Sequence, residues 1–242
     1  SGPIELNVFA AASLTEALTE IAELYKAVQP DAALSFNFDS SGTLQRQIES
    51  GAVADVFISA SKKQMDTLSE GGYLLEGTRK EHLKNKVVLI IPEDSELGLN
   101  GFRDVADERV ELVALGNSDV PAGQYAQEIF TALGVWEEVS SKASLGSNVK
   151  EVLTQVESGL VDCGVVYATD AATATGVEVV AEAPADSHKP VLYPVAVLKA
   201  SASHDAARDF LDFLETPEAV KVFEALGFTV AYTSEPAGMA AD

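Results

Sequence analysis

Apolar and polar positions alternate in two registers along this chain. At residues 4–9, "IELNVF" reads as a strand; the next residues are three alanines and a serine, and an amphipathic helix is predicted over 14–27. In "LSFNF" (34–38), Leu34, Phe36 and Phe38 recur with the period of two that marks one face of a strand. A helix follows Gly42, then a strand at 55–59 ("DVFIS") and a helix over 62–69. This βαβαβα order predicts a largely parallel sheet with helices on both faces. After the glycine-marked residues 71–77 and the charged connector "RKEHLKNK", a second set begins. It comprises strands at 86–91 and 111–116, helices near 124–133 and 149–158, and a strand at 163–167. A strand at 194–198 then leads into two acidic amphipathic helices over 205–226. Two lobes are predicted, with "SEPAGMAAD" (234–242) as a loose tail.

The junctions between these elements share a composition. In "AASLTEA", Ser13 is placed at a helix N-cap with Glu16 at the capping-box spacing. "FDSSGTLQRQI" places Ser40 and Ser41 ahead of the periodic Leu44 and Ile48. "VPAGQYAQEIF" puts Pro121 in a first helical turn, where its missing N–H is no loss, with Ala122 and Gly123 leaving the backbone uncovered. "LGSNVKEVLTQV" gives Ser147 and Asn148 as caps ahead of Val149. Every helix start carries unsatisfied N–H groups and about half a positive elementary charge. Taken singly, each is an ordinary cap. Brought together, they would hold an anion without lysine or arginine, and small side chains would keep the amides bare.

Charge and composition limit the alternatives. Sixteen Lys and Arg against 38 Asp and Glu give a formal net charge of -22, which makes nucleic acid and anionic membranes poor partners. An anion in direct contact with donors is still compatible with that charge, because exposed charges are screened over about 8 Å at physiological salt. The acidic surface also fits a salty habitat. The chain is 47% hydrophobic, but its aliphatic run "VVLII" is far short of the roughly 20 residues of a membrane span. No basic and apolar leader opens it, so any secretory signal is expected to have been removed. Cys163, the single cysteine, allows no intrachain disulfide and is expected to be a small core residue. His82, His188 and His204 have no metal-ligand spacing and are expected on the surface or in loops, so no directly coordinated metal is predicted. An enzyme reading would make Ser13 or Ser41 a nucleophile, yet neither lies in a G-x-S-x-G elbow and no histidine stands in an evident base position.

"VFAAASLTEAL", "SSGTLQRQIESGAVADVFISA", "VPAGQYA", "GVVY" and "DSHKPVLYPVAV" resemble, in order and spacing, the periplasmic molybdate-binding proteins, receptors of ABC importers for molybdate and tungstate. The likeness spans residues 4–232. It implies an α/β, two-lobed class II periplasmic binding protein fold, each lobe a mixed, mostly parallel sheet flanked by helices, with the chain crossing between lobes twice. The implied lobes are 1–84 with 194–242, and 85–193. The implied ligand is molybdate or tungstate, with no cofactor and no catalysis. Ser13 and Ser41 would offer backbone N–H and hydroxyl, Ala122 and Val149 backbone N–H, and Tyr167 its phenol. A Tyr167 packed in the core with its hydroxyl on a loop carbonyl is the competing reading. The implied partner is an ABC permease, the implied state a monomer, and the implied location periplasmic or extracytoplasmic, with an N-terminal lipid anchor compatible. Asp39, beside the serine pair, is expected to face the cap or solvent. Sulfate or chromate as cargo, and an effector domain of a transcription regulator, are the alternatives.

Overall fold

The computed structural model describes residues 2–232, so the tail at 234–242 lies outside it. The first set of elements is β1 (Ile4–Ala11), a 3-10 turn (Ala12–Leu14), α1 (Thr15–Val28), β2 (Ala32–Asp39), α2 (Ser41–Glu49), β3 (Val56–Ile58), α3 (Lys62–Glu70) and β4 (Lys80–Lys84). The second is β5 (Val87–Pro92), β6 (Val113–Gly116), α4 (Pro121–Ala132), α5 (Trp136–Ser140), β7 (Ala143–Gly146), α6 (Val149–Glu157), β8 (Cys163–Tyr167), α7 (Ala168–Thr173) and β9 (Val177–Glu182). β10 (Leu192–Val197), α8 (His204–Phe213), α9 (Pro217–Ala225) and β11 (Thr229–Val230) complete the chain.

These strands form two sheets, ordered β11-β4-β10-β3-β1-β2 and β7-β6-β8-β5-β9. The chain leaves the first sheet after β4 and returns to it at β10. Where a helix carries the chain back over the sheet, the pairing is parallel, as in β1 with β2 and β3, and β6 with β7 and β8. Strands that arrive from the other sheet or turn back locally pair antiparallel: β10 with β3 and β4, and β5 with β8 and β9. Both sheets are therefore mixed.

The central strands read as nearly continuous apolar runs because both of their faces are covered. Along β1, β3 and β10, Val8, Ala10, Val56, Ile58, Val195 and Val197 join the main core. Phe9, Phe57 and Ala196, one residue out of phase, meet Leu44 and Ile48 of α2 and Met65 and Leu68 of α3 on the opposite face. This two-sided packing holds the C-terminal ends of β1 and β3 rigid, and the site is built there.

The charged connector "RKEHLKNK" is in fact a strand, β4, lying between β10 and β11. Its charges fall at the strand ends while His82 and Leu83 are buried, which corrects the surface placement of His82. The imidazole stacks on Tyr232 (centroids 5.7 Å apart) and meets Phe223 edge-on at 5.4 Å. Burial, with Lys80 nearby, lowers its pKa to about 4, so the ring packs as a neutral aromatic. His188 and His204 are partly exposed. Cys163 is buried in β8, and its thiol is pushed up to about 12 by that burial, as befits a core residue.

Candidate functional site

The first sheet presents two chain segments to the site. β1 ends at Ala11 and runs into the 3-10 turn, whose middle residue is Ser13. The capping role expected for Ser13 is not found: the residue ahead of α1 is Leu14, and no side chain caps that helix. The 3-10 turn already places Ser13 in a helical path, so its hydroxyl points across to β10, 2.9 Å from the Tyr193 hydroxyl. Glu16 likewise does not close a capping box; its carboxylate reaches Lys150. At α2, Ser40 is the cap, its Oγ accepting from Thr43 N–H at 3.2 Å. Ser41 is the first helical residue, and its Oγ accepts from Ala60 N–H at 2.9 Å. With that lone pair used, the hydroxyl proton of Ser41 is available to donate.

The second sheet contributes the facing side. Pro121 opens α4 as expected, and Val120, ahead of it, offers no capping side chain, so Ala122 sits in a first turn whose amides have no intrahelical acceptor. Gly123 plays a different part from the one expected. A Cβ there would lie 2.2 Å from the Gly116 carbonyl oxygen, so its smallness lets α4 pack on β6 and does not bare an amide to the site. At α6, Asn148 is the cap, accepting from Glu151 N–H at 2.9 Å, while the Ser147 hydroxyl donates to the Glu151 carboxylate. Val149 is the first helical residue. Tyr167 ends β8, buried, and its hydroxyl donates to the carbonyl of Ala60, in the loop after β3, at 3.4 Å, which is the contact of the competing reading, although the residue also lines the cavity.

Ser13, Ser41, Ala122, Val149 and Tyr167 share one cavity between the two sheets, and Ala11, Ala12, Asp39, Ser40, Ala60, Val120 and Pro121 complete its wall. The start of the 3-10 turn and the N-termini of α2, α4 and α6 meet there, so their amides and dipoles converge on one point. The cavity is tight, about 10 Å³, so a guest larger than one water enters only as the walls separate. A larger hollow of about 1100 Å³ between α3 and α4 has mixed-sign walls, including Lys63, Lys189, Asp66 and Glu128, and holds none of the expected site residues.

Asp39 is the one charged residue on the cavity wall. Its Oδ1 accepts from Ser40 N–H at 2.8 Å, so the carboxylate is turned onto its own chain as the cap reading expects, although the residue still forms part of the wall. Burial raises the pKa of the Tyr167 and Tyr193 phenols well above the usual value, so both stay protonated. Asp170, fully buried in α7, accepts from Tyr167 N–H at 3.1 Å. Its other oxygen lies 3.3 Å from Lys150 Nζ, an ion pair whose angle falls short of a hydrogen bond. Burial raises its pKa to about 6 against the opposing pull of Lys150.

Sequence reasoning missed Tyr193, Asn85 and Lys150. Asn85 Nδ2 donates to the Tyr193 hydroxyl at 3.1 Å and to Thr169 Oγ1 at 2.8 Å, which fixes the group that holds Ser13. Tyr193 lies inside "VLYPVAV", where a lone tyrosine in an apolar strand was the available signal.

Residues 6–229 match the family model of the bacterial extracellular solute-binding proteins. The chain belongs to this family. Its members bind and hand over solutes and are not enzymes. This solute-binding protein is 40% identical to the molybdate-binding protein ModA of Haemophilus influenzae over 235 residues, covering 93% of this chain and 90% of that protein. ModA of Escherichia coli is 39% identical over 240 residues, 93% of this chain and 89% of that protein. The periplasmic molybdate-binding protein of Azotobacter vinelandii superposes with a TM-score of 0.83 at 23% identity, over 93% of this chain and 98% of that one. The sulfate-binding protein SubI of Mycobacterium tuberculosis gives 0.82 at 12% identity, over 94% and 87%. These last two likenesses establish the fold of this solute-binding protein: α/β, two-lobed, with a mixed sheet in each lobe.

Proposed function

We propose that this chain captures molybdate and tungstate outside the cytoplasm and delivers them to the membrane permease of an ABC importer. The observation that carries the reading is the convergence of bare helix starts from both sheets, with the Tyr167 phenol, on a wall with no cation. On this reading Ser13 and Ser41 give N–H and O–H, Ala122 and Val149 give N–H, and Tyr167 turns its O–H from the Ala60 carbonyl to the anion. Hydrogen bonds to a charged acceptor are worth about 1.5–3 kcal/mol each, so these donors supply on the order of 10–20 kcal/mol gross. Association and closure take back about 4–15 kcal/mol. Micromolar to nanomolar affinity, about 8–12 kcal/mol, lies within that balance. The names of the relatives near 40% identity support the cargo.

The lobes on this reading are residues 1–84 with 194–242, and 85–193, working as a monomer. The tight cavity then has a functional meaning: the lobes part to admit the tetrahedral oxyanion and close on it, since neither lobe holds all the donors. With the Asp39 carboxylate turned onto the Ser40 amide, the groups left to face the ligand on this reading are donors, which favours a fully deprotonated dianion, whereas hydrogen phosphate needs an acceptor for its proton. Sulfate has the charge and shape of molybdate but is smaller, so cavity size separates the two.

A thermal-shift panel tests this, followed by calorimetry. Molybdate and tungstate should raise the melting temperature by several degrees at saturating concentration, sulfate less, and phosphate negligibly. A shift with sulfate alone moves the cargo; no shift with any of the four refutes the oxyanion reading.

A further inference from the structure

Two ion pairs join residues of the first set of elements to residues of the second. Lys150, the second residue of α6, places Nζ 2.8 Å from both carboxylate oxygens of Glu16, the second residue of α1. Lys150 is also 3.3 Å from the buried Asp170 carboxylate, which anchors it to its own lobe. Arg46, near the end of α2, pairs with Asp119 in the loop ahead of α4, and the Asp119 carbonyl accepts from Gly42 N–H at 2.9 Å. Gly42 is required for that approach, because a Cβ there would sit 2.7 Å from the Asp119 backbone.

The placement of the pairs is specific. Glu16 to Lys150 joins the helix start that carries Ser13 to the one that carries Val149. Arg46 to Asp119 joins the helix of Ser41 to that of Ala122. Each strap thus ties a donor of one lobe to a donor of the other, and neither cation lies on the cavity wall. In a chain with only 16 cationic side chains against 38 acidic ones, two are spent at this seam. An opening of the lobes would separate the partners of both pairs.

We propose that Glu16–Lys150 and Arg46–Asp119 form a closure latch, so that Lys150 and Arg46 set anion affinity as positioning residues that never touch the anion. The inference rests on the oxyanion reading of the cavity. Removing one partner should raise the molybdate dissociation constant through faster release, by about two- to fivefold per pair, the range of a partly exposed ion pair. Lys150→Arg keeps a charge within reach and should stay near wild type.

The test is a double-mutant cycle on molybdate affinity and release, by calorimetry and stopped flow, with Glu16→Gln, Lys150→Met and the double variant. Glu16→Gln leaves Lys150 on Asp170, so its fold is kept, and the melting temperature of the anion-free protein serves as control. The latch predicts a raised dissociation constant in Glu16→Gln with an unchanged anion-free melting temperature, and no further loss when Glu16→Gln is added to Lys150→Met. Arg46→Gln should act independently of both. Unchanged affinity and release in Glu16→Gln and Arg46→Gln overturn the latch while wild-type binding keeps the oxyanion reading; a wild-type protein that binds no molybdate overturns both.

Discussion

Ser13 and Ser41 have the same proposed task but different local anchors. The Ser41 oxygen accepts the Ala60 amide, which leaves its proton available to donate, whereas the Ser13 hydroxyl shares a contact with Tyr193. Their amides stay in place when the hydroxyl is removed. Ser13→Ala or Ser41→Ala should therefore weaken molybdate binding by about 1.5–3 kcal/mol without abolishing it, measured by calorimetry; no change would count against the pocket. Tyr167→Phe removes a phenol that burial keeps protonated and should cost a similar amount, and wild-type affinity should not change between pH 7.5 and 9. That Ser41, Ala122 and Val149 stand at helix starts was legible in the small residues there, and the resemblance added Tyr167 at the end of "GVVY"; the structure puts all of them, with Ser13, on one cavity. The Ser13–Tyr193–Asn85 chain was not legible, because it joins segments 180 and 108 residues apart and local spacing carries no trace of it.

At the scale of elements, two glycines separate closure from folding. Gly123→Ala would drive a methyl into the Gly116 carbonyl inside one lobe, so it should lower stability by about 1–3 kcal/mol and the melting temperature with it. Gly42→Ala meets the Asp119 backbone across the cleft, where the lobes can yield, so it should weaken anion binding and leave the anion-free melting temperature nearly unchanged. Calorimetry beside thermal unfolding of both variants distinguishes the two. Long apolar strands and periodic helices were readable in the chain. β4 was not, since its charged ends masked two buried residues, and β7, α5, α7 and β9 are short or half-exposed edges with weak periodicity. Burial of His82 in β4 has a consequence in acid. Its pKa falls from 6.5 to about 4 on folding, so the stabilisation is present above pH 6.5 and is lost as pH falls towards 4, about 3 kcal/mol in all. Asp170, raised by burial to about 6, acts in the opposite sense, its contribution present below its unfolded value of 3.8 and lost as pH rises through 6. Comparing His82→Phe with wild type by denaturant melts at pH 4.5 and 7 isolates the histidine: the variant should lose less stability in acid.

For the whole molecule, the chain crosses between the two sheets after β4 and before β10, and the proposed capture step has the two lobes close across the seam between them. A net charge of -22 opposes anion capture at long range, but contact donors inside a closed cleft are little screened and outweigh it. Small-angle scattering should therefore show a smaller radius of gyration with saturating molybdate than without it, and no compaction would rule out closure as the capture step. The most direct measurement is a crystal structure of the molybdate complex with anomalous data at the molybdenum edge. The account predicts one strong peak within hydrogen-bonding reach of Ser13, Ser41, Ala122, Val149 and Tyr167. A peak elsewhere, beside lysine or arginine side chains, or none at saturating anion, would contradict it.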